Sequence, residues 1–199
     1  MARLPAWLKF GYGVATPVIA CDYARTYGAQ NFLWLSDIAL GLTTAAAIVE
    51  SPLCASLAAV GALPLELAWN LDFLSGGRLF GLAGYMFDAN LPRGRRALSL
   101  FHMALPPTVI LMLRRLGYDR RACGVQSVLT ALLLPASYRV TDPYENVNWA
   151  LGPGGRPPGA LPPRVYLGLE MIAFIVFAHL PTHRLLRRLF PLPRPEARP

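Results

Sequence analysis

Histidine is the residue type with the sharpest chemical pattern in this chain, because the sequence contains only three. His102 stands alone, whereas His179 and His183 form an HxxxH pair. Three imidazoles and a water would make a catalytic zinc shell, and the HxxxH spacing sets two side chains about 40° apart around a helix. The sequence therefore marks His102, His179 and His183 as candidate metal ligands, which would bind zinc as a cofactor if His179 and His183 converge. Pro181 favours an alternative, a helix that ends near Leu180, because proline disfavours helical geometry at the preceding residue.

Carboxylates inside apolar runs are the second informative feature, since an ionisable group at the centre of a bilayer costs roughly 2.5 to 3.5 kcal/mol. Four residues fit this description: Asp37, Glu66, Asp72 and Glu170. No Lys or Arg lies inside the same runs to pair with them. Two interpretations stay open, namely protonated carboxyls hydrogen-bonded between helices, or a proton path, cation site or acid–base pair.

Glu66 is expected to face the interior of a bundle. Ala55, Ala59 and Ala62 precede it on one stripe at helical spacing, and the stripe continues to Asn70. Small residues let another helix backbone approach closely. Glu66 should therefore point towards a neighbouring helix and away from lipid.

His102 completes the predicted catalytic group, which comprises Asp37, Glu66, Asp88 and His102. Pro106 and Pro107 follow on the same run and remove the helical hydrogen bonds to the carbonyls of His102 and Met103. A break at membrane depth must be satisfied by protein or by a wet cavity. The region around His102 is therefore expected to form a pocket, with Asp37 or Asp88 as the acid that orients the imidazole.

These residues lie on elements of a membrane protein. Charged residues are only 15% of the 199 positions, against about 25% in a typical globular chain. Five apolar runs have 16 to 22 residues and no period-2 alternation, close to the ~20 residues that a spanning helix needs. The runs are Phe32–Val49, Leu53–Leu74, Ala97–Leu113, Ala122–Tyr138 and Val165–Leu180. We predict an all-α, polytopic transmembrane helical bundle with five to six membrane-spanning helices.

Counts of Lys and Arg on alternate sides favour the sixth crossing. Five spans give 10 against 9, whereas a crossing at Phe80–Leu91 gives 13 against 6 and places both termini in the cytoplasm. The segment Phe10–Cys21 is short and broken by Gly and Pro, so it is interfacial, re-entrant or a further span. The predicted division is residues 1–31, a transmembrane domain at 32–183 with a Pro/Gly-rich loop at 139–164, and a basic tail at 184–199.

The net charge of +8 comes from 18 arginines and one lysine against 11 acids. The arginines flank apolar runs instead of covering one face, which favours anionic lipid head groups as partners and excludes nucleic acid. Small-residue helix faces would also dock a second copy or another membrane subunit. Arginine in place of lysine suggests a GC-rich bacterial genome, so the expected location is a bacterial inner membrane.

Several strings in the chain resemble an uncharacterised family of bacterial polytopic integral membrane proteins. They are Asn31–Ala39, Gly84–Asp88, Leu98–His102, Leu116–Ala122, Thr141–Pro143, Asn146–Trp149 and Pro181–His183. A weaker likeness links the chain to membrane hydrolases of the alkaline-ceramidase type, which combine Ser, Asp and three His with HxxxH on the last helix. That likeness implies roles for Ser99, His102, His179 and His183. The chain departs from that pattern by its shorter length, its Ser-to-His spacing of three, and Pro181.

Three functions follow from these features. The first is a membrane-embedded lipid hydrolase or acyl-transfer enzyme that uses His102 as base or ligand. The second is a non-enzymatic component, such as a small transporter or an assembly subunit, in which Glu66 and Asp37 carry a proton or cation. The third places function in the 139–164 loop as a binding element. Nucleotide-binding and serine-hydrolase motifs such as GxGxxG and GxSxG are absent from the sequence.

Overall fold

The computed structural model describes residues 4–155, 159 and 161–192, and within them it consists of helices and connecting loops, with no β-strand. This confirms the all-α prediction. A π-helical segment, Phe174–His179, joins the last two α-helices into one rod. The α-helices are α1 (Ala6–Tyr27), α2 (Leu35–Val49), α3 (Pro52–Leu74), α4 (Arg93–Ser99), α5 (Phe101–Leu116), α6 (Ala122–Val140), α7 (Pro163–Ala173) and α8 (Leu180–Leu189).

Three helical segments of the described chain are long and apolar enough to cross a membrane: Pro52–Leu74, Arg93–Leu116 and Pro163–Leu189. In α3, 61% of the most apolar window is buried against other helices, whereas in the α7–α8 rod only 17% is buried. A helix that is apolar all round belongs in the centre of a bundle, and this is where α3 lies. The α7–α8 rod leaves large side chains such as Phe177 exposed, as expected of a helix that faces lipid.

One end of the bundle, here called the terminal end, holds both described ends of the chain. It also holds the α2–α3 connection and the loop between α5 and α6. Its defining hydrogen bonds run from the Leu4 N–H to Glu50 Oε1 (3.1 Å), from the Asp119 N–H to Ser56 Oγ (2.8 Å) and from the Tyr118 N–H to the Phe190 carbonyl (2.7 Å).

The opposite end, the loop end, is organised by Asn148. Its side chain accepts a hydrogen bond from the Leu35 N–H (2.9 Å) and donates to the Leu33 carbonyl (2.7 Å), so it supplies an acceptor that the first turn of α2 lacks. Asn148 has a φ of 56°, a left-handed conformation that asparagine tolerates better than most residues. The described part of the 139–164 loop therefore caps a helix. Residues 156–158 and 160 of that loop lie outside the described residues.

Residues 79–91 do not form the crossing that the arginine counts favoured. They fold as bends and one short 3₁₀ turn, Gly84–Phe87, and then enter α4 at the same end of the bundle. Asp72 explains this path, because its carboxylate accepts the backbone N–H groups of Leu79 (2.8 Å), Phe80 (2.8 Å) and Ala83 (2.7 Å). The buried Asp72 carboxylate accepts all three hydrogen bonds, and these bonds hold the segment against the end of α3.

The N-terminal segment forms the 22-residue helix α1, which continues through Pro17. Its buried residues Leu8, Ile19 and Tyr23 belong to the same apolar core as residues of α2, α3 and α5. Residues 6–27 are therefore part of the bundle. Six helical rods run between the terminal end and the loop end in the described chain: α1, α2, α3, α4–α5, α6 and α7–α8.

Replacement of Asp72 by Ala should destabilise the bundle by about 3 kcal/mol, because three backbone N–H groups, that of Ala83 buried, lose a charged acceptor. Thermal unfolding of the detergent-solubilised protein measures this. Asp88→Ala is the matched control: Asp88 is exposed, and its carboxylate accepts hydrogen bonds within a turn, from Asn90. Its effect should stay within about 0.5 kcal/mol. Equal effects of the two substitutions would contradict the structural role of Asp72.

Candidate functional site

The centre of the bundle contains a carboxylate–histidine pair. Glu66 on α3 and His102 on α5 meet with Glu66 Oε2 at 2.8 Å from His102 Nδ1. The Glu66 side chain is 2% exposed and the His102 side chain 13% exposed. A carboxylate on Nδ1 fixes the orientation and tautomer of an imidazole, which leaves Nε2 as the nitrogen that can act on a substrate.

Helix α3 places Glu66 here as the alanine stripe predicted. Ala55, Ala59 and Ala62 are almost completely buried, and the close approach of neighbouring helices leaves Glu66 facing protein. The prediction that Glu66 points into the bundle is confirmed.

Aromatic rings cover the imidazole. The ring centroids of Trp69 and His102 lie 4.6 Å apart in a stacked arrangement, and Phe101 lies 4.1 Å from the same ring. Tyr85, from the loop after α3, lies 6.5 Å from Trp69. Such apolar surroundings lower the local dielectric and strengthen the electrostatic interaction between Glu66 and His102.

Asn70 satisfies the carbonyl that the prolines set free. Pro106 has no N–H for the carbonyl of His102, and the Asn70 side chain donates to that oxygen at 2.9 Å. The same amide nitrogen also contacts the Glu66 carbonyl at 2.7 Å. The break in α5 is thus sealed by protein, and Asn70 holds the backbones of both members of the pair together.

Asp37 lies within electrostatic range of the pair. It interacts with both His102 and Glu66, and Asn31 Nδ2 donates to its Oδ2 at 2.8 Å. Tyr23 on α1 interacts electrostatically with Asp37 and forms a hydrogen bond with Ser99, 2.9 Å between the hydroxyl oxygens. The direct contact in the site is thus between Glu66 and His102, with Asp37 acting on both through its electrostatic field.

The three histidines do not come together. His102 Nδ1 meets Glu66, His179 Nδ1 meets Ser127 Oγ at 3.2 Å, and His183 Nδ1 meets the Tyr118 hydroxyl at 2.8 Å. Within the described ranges, no three His, Cys, Asp or Glu side chains could hold a metal ion jointly. The helix does continue through Pro181, yet His179 and His183 are used by different neighbours. The geometry does not assemble the zinc shell of His102, His179 and His183.

Asp88 also lies apart from the pair. It is exposed at the end of the Gly84–Phe87 turn, where it accepts hydrogen bonds from the Asn90 backbone N–H and side chain. Its own backbone carbonyl accepts a hydrogen bond from Arg96. Asp88 is thus a turn residue, and Glu66 is the acid in contact with His102.

Sequence reasoning missed three contributors to this site: Tyr23, Asn31 and Trp69. Tyr23 lies on α1, a segment that looked too short and too broken to be part of the bundle. Trp69 carries a recognisable signal, because it follows Glu66 by three residues and so shares its helix face. The approach of Asn31 to Asp37 depends on the short Ala29–Leu33 turn, which leaves no periodic pattern in the sequence.

Comparisons with protein-family models, with curated proteins and with solved structures found no match to this chain. Its function therefore has to be argued from the geometry of the site.

The Asn70 side chain and Pro106 should be energetically coupled. Asn70→Ala should cost about 1 to 3 kcal/mol, because it leaves the buried His102 carbonyl without a donor. In a Pro106→Ala background the cost should be smaller, since residue 106 then supplies an N–H to the same carbonyl. A double-mutant cycle on thermal or denaturant unfolding measures the coupling. Additive effects would mean that the amide is not compensating for the proline.

Proposed function

We propose that this protein is a multi-pass membrane enzyme that hydrolyses or transfers acyl groups of lipids, with His102 as general base and Glu66 as the residue that orients it. The observation that carries the proposal is the 2.8 Å contact between Glu66 Oε2 and His102 Nδ1 in the apolar centre of the bundle. A buried carboxylate paired with an imidazole at membrane depth is costly, and such groups mark functional sites.

The chemistry follows from the tautomer. With Nδ1–H donated to Glu66, His102 Nε2 accepts a proton from water or from an acceptor alcohol as its oxygen adds to the acyl carbon. The imidazolium then returns the proton to the leaving oxygen as the ester bond breaks, and the Glu66 carboxylate stabilises the charged ring. Asp37 interacts electrostatically with the same ring, and Trp69 and Phe101 supply apolar walls that suit a lipid chain.

The membrane arrangement is part of the proposal. The six rods would be six crossings, with α1 in place of residues 80–91 as the additional one. Leu4 and Phe190 lie at the same end of the bundle, so in this arrangement both described ends of the chain would face the same side of the membrane. With α1 counted as a crossing, 11 of the 19 basic residues fall on that side and 8 on the other. The excess supports a cytoplasmic terminal end, and the arginine-rich composition supports a bacterial inner membrane.

Anionic lipid head groups are the proposed partners of the terminal end. Arg114, Arg184, Arg187 and Arg188 are exposed there, near the exposed leucines Leu185 and Leu189 of the amphipathic helix α8. Arginines beside apolar residues at a helix end reach lipid phosphates while their stems stay in apolar surroundings. The exposed apolar faces of the outer helices would also accommodate a homo- or hetero-oligomer.

A second candidate function is proton or cation transfer as a small transporter or assembly subunit, and one specific observation supports it. Polar contacts follow α3 from end to end: Asp119 bonds to Ser56, Gln126 packs on Gly61, and His102 pairs with Glu66. These three positions on α3 are each five residues apart, or about 7.5 Å along the helix axis. Polar groups at successive depths are an arrangement that proton carriers use.

Hydrolysis of a membrane-soluble fluorogenic acyl ester by the protein in nanodiscs tests the enzyme proposal. His102→Ala and Glu66→Gln should each lower kcat by about 10²- to 10⁴-fold, the usual contribution of a positioned general base. Glu170→Gln is the matched control, because Glu170 is an intramembrane acid whose partner is Tyr166 (3.4 Å), away from the pair. It should keep full activity.

The two functions separate in a second assay. Proteoliposomes that contain a pH-sensitive dye should show proton uptake only if the transport function is correct, and Glu66→Gln should then abolish that uptake with unchanged folding. Ester hydrolysis that survives His102→Ala unchanged would exclude the enzyme proposal. Wild-type protein without hydrolysis but with Glu66-dependent proton uptake would establish the second function.

A further inference from the structure

A second group of buried polar atoms lies where α3, α6 and the π-helical segment meet. His179 Nε2, Gln126 Oε1 and Thr130 Oγ1 have no hydrogen-bond partner in the described protein, and their residues are 0%, 1% and 0% exposed. Buried polar atoms are almost always paired with protein or with ordered water, and an unpaired one costs about 1 to 3 kcal/mol. Three such atoms lie on elements that contact one another, and each needs a hydrogen-bond partner.

The hydrogen bonds around His179 define what kind of ligand fits. Ser127 Oγ donates its single proton to the Cys123 carbonyl (2.8 Å), so it accepts a proton from His179 Nδ1 at 3.2 Å. A neutral imidazole that donates through Nδ1 has a lone pair on Nε2. Gln126 Oε1 is also an acceptor, and Thr130 supplies a hydroxyl. The site therefore suits a small ligand that can both donate and accept hydrogen bonds.

The helices bring the residues that carry these atoms into neighbouring positions through two contacts, Ser127 with His179 and Gln126 with Gly61. Gln126 and Thr130 are four residues apart on α6 and share a face, with Ser127 on its edge. Gly61 on α3 makes room for the amide, since a Cβ atom there would lie 2.4 Å from Gln126 Nε2. The π-helical turn before Pro181 carries His179 inward, and such turns often occur at functional sites.

We propose that His179 Nε2, Gln126 Oε1 and Thr130 Oγ1 bind a buried water molecule. Water donates two hydrogen bonds and accepts others, which matches two acceptors and one hydroxyl. The bound water would donate a hydrogen bond to His179 Nε2 near the level of Gly61 on α3, between the Tyr118–His183 contact and the Glu66–His102 pair. This site holds for either function proposed above, because it needs neither hydrolysis nor transport.

Imidazole ¹⁵N NMR of the full-length protein in lipid tests the proposal, since its three histidines give few signals. His179, assigned by comparison with His102→Asn and His183→Asn variants, should show a protonated Nδ1, an unprotonated Nε2 and a cross-peak from Nε2 to slowly exchanging water. A protonated Nε2, or an unprotonated Nε2 without a water cross-peak, would overturn it. A signal that shifts only when ammonium is added would show that a cation fills the site, which also contradicts the proposal.

Two valine substitutions provide a matched comparison. Thr130→Val should abolish the water cross-peak and shift the His179 Nε2 signal, because it removes the hydroxyl from the site. Thr43→Val removes another fully buried hydroxyl, on α2, and should leave the His179 signals unchanged. Equal responses to the two variants would argue against a site at Thr130. If Thr130→Val does not fold, the wild-type spectrum still decides.

Discussion

The constraint on which this structure depends is that polar groups inside an apolar bundle must find hydrogen-bond partners. Helix α3 shows how the constraint is met, because it carries Ser56, Glu66, Asn70 and Asp72 through the centre of the molecule. Each of these side chains has a hydrogen-bond partner beyond its own turn: the α5–α6 loop, His102, the carbonyl of His102 and the N–H groups that follow α3. These contacts fix the order and the ends of the surrounding helices more specifically than apolar packing does.

The same constraint links the architecture to the candidate site. Pro106 breaks the hydrogen-bond ladder of α5 beside His102, and Asn70 closes the break. That arrangement holds the backbones of α3 and α5 together at the level where Glu66 and His102 meet. The imidazole is therefore positioned by two independent groups, a carboxylate on its ring and an amide on its backbone, and rigid positioning of this kind is what a general base requires.

The loops at one end of the bundle are part of this arrangement. Asn148 caps α2 at Leu35, two residues before Asp37. Asp72 holds the chain that follows α3 in place, and Tyr85 of that chain lies close to Trp69. The two ends of the bundle use different polar contacts. Those around Asn31, Tyr85 and Asn148 lie at the loop end, and the contact between Tyr118 and His183 lies at the terminal end.

The sequence by itself determined the helical class, the apolar runs and the burial of Glu66, because these follow from periodicity and from the cost of exposing a carboxylate to lipid. It also indicated that the carbonyl of His102 needs a partner, since proline chemistry is local. It did not determine which residues meet. His179 and His183 share a helix yet serve different neighbours, residues 80–91 turn back on Asp72 instead of crossing, and Tyr23 joins the site from a helix with little amphipathic pattern. Such choices depend on contacts between residues far apart in the chain, which only the tertiary structure decides.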